Sequence, residues 1–198
     1  MGLPSSVRAS ARAIDVQPKD FNAGVAYDLP QRIAIFAQGS DAAAYSPDKF
    51  EITSSQDVAD KLGYGNPAHL IAKQLFPDNG GVLTAVGVTV YPLPNKATGA
   101  AAAADITPLG TQTTAAQYVV RVGGIESKAF TAMKDETPVE IIPKMIAAIN
   151  GELDMPVIAT DGTDKVTLTA KHKGTTGNDL IIELLGQPQG VVFTVGTM

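Results

Sequence analysis

The side chains able to do chemistry in this sequence are few: two histidines, twenty acidic residues, fifteen lysines and arginines, and no cysteine. Without cysteine there are no disulfides, thiol nucleophiles or thiolate metal sites. His69 and His172 stand far apart and neither belongs to a ligand spacing. Each reads as a surface or partly buried side chain, and a zinc site would rest on these two and on carboxylates alone. Asp161-Gly162-Thr163-Asp164 looks like a calcium-loop fragment, but it lacks the alternating ligands and the terminal glutamate, so a hairpin turn is the better reading. Gly174-Thr175-Thr176-Gly177-Asn178-Asp179 is glycine-rich, yet no lysine follows its second glycine, as a phosphate-cradling loop requires. Gly63-Tyr64-Gly65 has no third glycine at dinucleotide spacing, and no Gly-x-Ser-x-Gly elbow is present. Asp135-Glu136 falls in a polar loop with no sign of a partner across a cleft. The expectation is a protein that is not an enzyme, with no catalytic residue, metal or cofactor.

Charge points the same way. The net charge is −5 and the one basic cluster is Lys171-His172-Lys173, too little to neutralise a phosphate backbone, so no nucleic-acid partner is expected. The opening Met1-Gly2-Leu3-Pro4-Ser5-Ser6-Val7-Arg8 lacks the apolar core of a signal peptide, and the apolar runs are interrupted before they reach membrane-spanning length. No membrane contact is expected, and a soluble protein made in the cytoplasm is the default. With 44% hydrophobic residues the chain can fill one sizeable core or two small ones. Abundant threonine, valine and alanine with few aromatics suit sheet layers with small side chains between them.

The elements that position these residues divide into three stretches. Residues 1–28 show no strong period, and Pro18 limits both helix and central strand there. This stretch cannot bury itself and reads as an extended N-terminal arm, either disordered or packed on something else.

Residues 29–98 read as a small α/β unit. The short apolar run 32–37 between Pro30 and Gly39 predicts a buried strand, and 51–53 a second one. Ser54 stands three residues before Asp57, a capping-box spacing that opens a helix through Val58, Ala59 and Leu62, with Gly63 as terminator. Asn66-Pro67 opens the next helix, with Leu70, Ile71 and Leu75 at helical spacing. Asp78-Asn79-Gly80-Gly81 ends it, and 82–90 predicts a long apolar strand.

Pro92, Pro94, Gly99 and the alanine run 100–104 mark a change of composition, read as a domain boundary made of either a linker or a short helix. Residues 99–198 then read as a β-rich domain with one helix. Residues 117–122 alternate, Gly123-Gly124 marks a hairpin turn, and 127–133 is the return strand. Thr137-Pro138-Val139-Glu140 is a capping box, and Val139, Ile142, Met145, Ile146 and Ile149 fall on one helical face. Pro143 conflicts with that helix, because an interior proline costs about 3 kcal/mol, so the helix starts at either Pro138 or Pro143. Strands are expected over 157–160, 166–170, 180–185 and 191–195. The fold class is therefore α+β.

Three stretches carry a likeness to a known family: Leu3-Pro4-Ser5-Ser6-Val7-Arg8, then Leu29-Pro30-Gln31-Arg32-Ile33-Ala34-Ile35-Phe36-Ala37-Gln38, then Lys171-His172-Lys173-Gly174-Thr175-Thr176-Gly177-Asn178-Asp179. In order, they resemble the "I-P-x-S-x-R" start, the "P-x-Q-R-hydrophobic run-G/A-Q" first strand and the "N-K-G-T-x-G-N-D" motif of the Mu-like contractile tail sheath family of bacteriophages. Leu62-Gly63-Tyr64-Gly65 before a helix agrees with the family's element order. The resemblance implies a structural subunit, stacked in rings as a helical sheath around a tail tube. Neighbouring copies would be linked by terminal arms that add strands to each other's sheets. Contraction during DNA injection would be a rigid-body change to a shorter lattice.

On that resemblance the arm side chains Val7, Ala9, Ala11, Ala13, Ile14 and Val16 are assigned to the inter-subunit contact, and Gly174, Gly177, Asn178 and Asp179 to a turn with positive φ at both glycines. The β-rich domain resembles the family's inserted domain. Partners would be copies of the chain, the tail tube protein, and the baseplate and tail terminator proteins. The place would be the virion, after assembly in the cytoplasm of the bacterial host. Family members are usually longer, with a C-terminal α/β domain and a C-terminal arm, so the chain is expected to correspond to their N-terminal part, either as a piece of a longer sheath protein or as a shortened relative. Two alternatives stand beside this reading: another phage tail or baseplate structural protein, and a carbohydrate-binding β-domain, the latter weakened by the absence of tryptophan.

Overall fold

Ile33, Ile35 and Ala37 alternate with Arg32, Ala34 and Phe36, and this period of two makes one face of the first strand apolar. In the computed structural model, which describes residues 32–77 and 87–198, these residues form β1 (Arg32–Gln38). β2 (Phe50–Ile52), α1 (Ser55–Leu62), α2 (Pro67–Leu75) and β3 (Gly87–Leu93) follow. The strand order is β1-β3-β2, with β1 parallel to β3 in the register Ile35↔Val90 and β2 antiparallel to it. Parallel neighbours need a long crossover, which the segment carrying both helices supplies. The expectations for residues 1–28, for the turn at 78–81 and for 82–86 of the predicted strand lie outside the described residues.

The capping box at α1 forms as its spacing requires. Ser54 Oγ accepts from Asp57 N–H at 3.3 Å, and Asp57 Oδ2 accepts from Ser54 N–H at 3.0 Å. Asn66 caps α2 by accepting from His69 N–H at 2.9 Å, and its amide donates to Leu62 O at 2.8 Å, tying one helix to the other. The inward face of α2 differs from the expected one. Ala68, His69 and Ala72 are buried, while Ile71 is 41% exposed. Small side chains let this helix lie close to its neighbours, and the larger Leu75 packs only at the margin. The expectation of an exposed or partly buried His69 is likewise corrected, since His69 is 2% exposed.

The predicted linker or helix over the alanine run is a strand, β4 (Ala101–Leu109). An alanine run favours a helix by local propensity. Here Ala102, Ala104 and Ile106 alternate inward, and β9 (Val166–Lys173) provides the ladder that overrides propensity. β5 (Ala116–Val122) turns at Gly123-Gly124, with φ of +57° and +86°, into β6 (Ile125–Glu126). The predicted return strand breaks at Ser127, whose hydroxyl accepts from Val120 N–H at 3.0 Å, and resumes as β7 (Phe130–Ala132). After α3 (Pro138–Asn150) come β8 (Val157–Asp161), β9, a 3-10 turn (Thr175–Asp179), β10 (Ile182–Leu185) and β11 (Val192–Val195). One sheet has the order β11-β4-β9-β8, and the other is β10-β5-β6 with β7 also on β5.

α3 starts at Pro138 and keeps Pro143 inside it. Pro143 and Val139, the partner of the lost bond, are both exposed, so the defect lies on the watered side. Burying Ile141, Ile142, Met145 and Ile149 at about 2 kcal/mol each outweighs it. The face is rotated from the expected one: Ile141 and Ala148 replace Val139 and Ile146 among the buried positions.

Arg32–Met198 forms one compact unit with two hydrophobic clusters. One gathers Ile35, Ile52, Val58, Leu62, Val88 and Val90. The other gathers Ile106, Tyr118, Phe130, Ile141, Met145, Met155 and Leu168. Among the described residues, helices and sheets mix as the α+β class requires.

Candidate functional site

β9 carries the stretch that most resembles the sheath motif, and its end does two jobs. Strand alternation sends His172 inward and the flanking lysines outward. His172 is buried, with Nε2 3.0 Å from Thr176 Oγ1 and with Nδ1 lacking a hydrogen-bond partner. Gly174 has φ of +119° and donates its N–H to Ala100 O, so a side chain there would be strained. Gly177 has no positive φ, which corrects the expectation. It is glycine for space, because a Cβ would stand 2.9 Å from Ala102 Cβ and 3.2 Å from Ala170 Cβ. Asn178 and Asp179 are exposed on the same 3-10 turn.

The outward-facing lysines hold the first cluster to the second. Lys171 O accepts from Asp41 N–H at 2.7 Å, Lys173 N–H donates to Asn95 Oδ1 at 3.0 Å, and Lys173 Nζ lies 3.1 Å from Asp41 Oδ2. Asn95 also donates to Gly39 O at 3.0 Å. A few residues along this seam, Asp154 pairs with Lys73 and stands 3.8 Å from His69 Nδ1. Lys171 Nζ donates to Leu153 O at 3.1 Å, and burial pushes its pKa down against the pull of Asp154 and Glu152. An open cleft of about 370 Å³, bordered by Ser40, Tyr64, Glu152, Leu153 and Lys171, runs beside these groups. Among the described residues no three His, Asp or Glu side chains are placed to share a metal ion. Asp41, Asn95 and Asp154 were not foreseen, because single polar residues in loops carry no sequence signal of the partner they meet.

The sheet edges are treated differently. Asn150, the last residue of α3, donates from Nδ2 to Ala159 O at 2.8 Å and accepts from Ala159 N–H at 2.9 Å. An amide side chain thus takes the place of a neighbouring strand and closes the outer edge of β8. β1 is also an edge strand, seven residues long, and among the described residues no strand pairs with its outer side. Its uncovered face carries Phe36, 62% exposed and stacked on Tyr91 at 4.8 Å, and Arg32 paired with Glu51 at 3.0 Å. The assigned arm residues Val7, Ala9, Ala11, Ala13, Ile14 and Val16 lie outside the described residues. No helix among those described is long and apolar enough to cross a membrane.

No protein-family model matches the chain. It is similar to the Mu-like prophage FluMu tail sheath protein of Haemophilus influenzae, with 22% identity over 178 residues. The match takes in 90% of this chain and 36% of that protein, so the chain spans little more than a third of its relative's length. The likeness to Mu-like sheath sequences seen in three short motifs thus extends along nearly the whole chain.

Proposed function

We propose that this chain is a structural subunit of a contractile phage tail sheath, polymerising around a tail tube and shortening during DNA injection. The observation that carries this reading is the similarity to a tail sheath protein along 90% of the chain. The constellation of side chains supports a scaffold: the polar groups Asn95, Lys173, Lys73 and Asp154 along the seam are spent on holding two clusters together.

The edge strands suggest how copies join. A sheet edge offers unpaired N–H and C=O groups to any extended segment, and β8 is closed by Asn150 while β1 is seven residues long and open on its outer side among the described residues. The arm, residues 1–28, with Val7, Ala9, Ala11, Ala13, Ile14 and Val16, adds a strand to such an edge of a neighbouring copy. Backbone pairing tolerates rotation and sliding of whole subunits, which contraction demands. The two hydrophobic clusters support a division into a sheath-core unit over 29–98 and a β-rich domain over 99–198. The tube, baseplate and terminator proteins are the remaining partners in this proposal, and the virion is its place.

Immunogold labelling of tailed particles with antibody against this chain tests the reading. Label along the whole tail is the expected result. Label at one end only moves the protein to the baseplate or neck, and unlabelled particles refute a tail role.

A further inference from the structure

The seam between the two clusters holds one titratable ring whose protonation its own hydrogen bond opposes. His69 Nδ1 accepts the N–H of Gly65 at 3.1 Å. A ring nitrogen that accepts carries no proton, so the neutral ring bears its hydrogen on Nε2. The charged groups around it come from three elements. Lys73 lies on α2 itself, Asp154 and Glu152 follow α3, and Lys171 comes from β9. Tyr64, on the cleft beside the seam, meets the ring edge-on at 5.3 Å.

We propose that His69 is an acid-operated latch between the two clusters. A proton on Nδ1 turns the acceptor into a donor, so the Gly65 N–H faces a second N–H and its bond is lost. The new N–H turns instead to Asp154, whose Oδ1 is already 3.8 Å away, and draws that carboxylate from Lys73. Gly65 has no room to retreat inward, because even a Cβ there would strike the Met155 carbonyl. The turn before α2 therefore parts from the loop after α3, and the seam opens at that point. The second buried ring, His172, lies on the inward face of β9, and its Nε2 meets Thr176 Oγ1 at 3.0 Å, so its titration does not touch the Gly65 bond.

Burial lowers the pKa of His69 below its ordinary 6.5; Asp154 opposes this, and Lys73 and Lys171 add to it. A histidine depressed in the folded state keeps the latch shut above 6.5 and releases it as the pH falls through the lower folded value. This device is independent of the sheath reading, and it operates in the isolated chain.

The test is amide hydrogen exchange of the full chain across this range, with the His69 ring followed by nitrogen NMR. Below the ordinary histidine value the Gly65 protection factor should fall about tenfold per pH unit until the ring has titrated. Val90 and Val120, inside the two cores, should keep theirs. In His69→Asn the amide Oδ1, bonded to Cγ as the ring Nδ1 is, still accepts from Gly65 but takes no proton, so Gly65 should stay protected. Protection of Gly65 that survives titration of the wild-type ring overturns the proposal, as does loss shared by Val90 and Val120 or persisting in the asparagine variant. The wild-type profile decides even if that variant does not fold.

Discussion

Lys173 Nζ and Asp41 Oδ2 stand 3.1 Å apart, joining the end of β9 to the loop after β1. This ion pair is the most visible tie across the seam, but it is partly exposed, and water screens it to a contribution of about 0.5 kcal/mol. Asn95 beside it makes two hydrogen bonds, to Gly39 O and from Lys173 N–H, each contributing about 1 kcal/mol. Urea unfolding should therefore rank Asn95→Ala as more damaging than Lys173→Ala. The reverse order would mean that charge, and not backbone satisfaction, holds the seam.

Gly174 and Gly177 should separate by mechanism. Gly177→Val forces two methyl groups against Ala102 and Ala170 and should cost about 1–3 kcal/mol by overpacking. Gly174→Ala meets no atom and carries only the strain of its positive φ, about 1 kcal/mol. Thermal melts of the two variants check this order, and equal melting would remove the packing explanation for Gly177.

Removing the Asn150 side chain should have two effects. Asn150→Ala loses both bonds to Ala159, about 1–2 kcal/mol together, and exposes the outer edge of β8. In the chain shortened by residues 1–28, sedimentation velocity should then show self-association that the unsubstituted shortened chain lacks. A monomeric variant with unchanged stability would leave the edge-closing role unsupported.

Acid should weaken the β4–β9 pair in a separate range from the histidine latch. The side-chain bond from Lys165 and then that from Thr167 hold the Asp105 carboxyl below its ordinary 3.8, and Asp57 is lowered by the Thr53 backbone N–H. A depressed carboxylate stabilises the fold above 3.8 and loses that contribution as the pH falls through its folded value. Asp105→Asn should flatten the acid side of a stability–pH curve below that value, and an unaltered slope would assign acid sensitivity elsewhere.

The arm predicts a division between folding and assembly. Deleting residues 1–28 should leave both hydrophobic clusters intact, because that stretch has no apolar period of its own with which to build a core. Circular dichroism should be retained while polymer formation, followed by light scattering, is lost. Unfolding on deletion would make the segment part of the core.

Local signals were legible in the sequence because their chemistry is local. The capping boxes at Ser54 and Thr137, the Asn66-Pro67 helix start, the Gly123-Gly124 turn and the alternation of β5 each involve residues within a few positions of one another. The likeness to sheath sequences was equally readable, since it rests on residue order. Tertiary partners decided the rest. Alanine fits a helix and a strand alike until β9 offers its ladder, so 101–109 could not be read as β4 from composition. Pro143 stays inside α3 only because the four large side chains buried around it offset the lost bond. His69 and Asp154, Asp41 and Lys173, Asn150 and Ala159 meet through folding, and sequence spacing carries no trace of a contact whose two halves lie on separate elements.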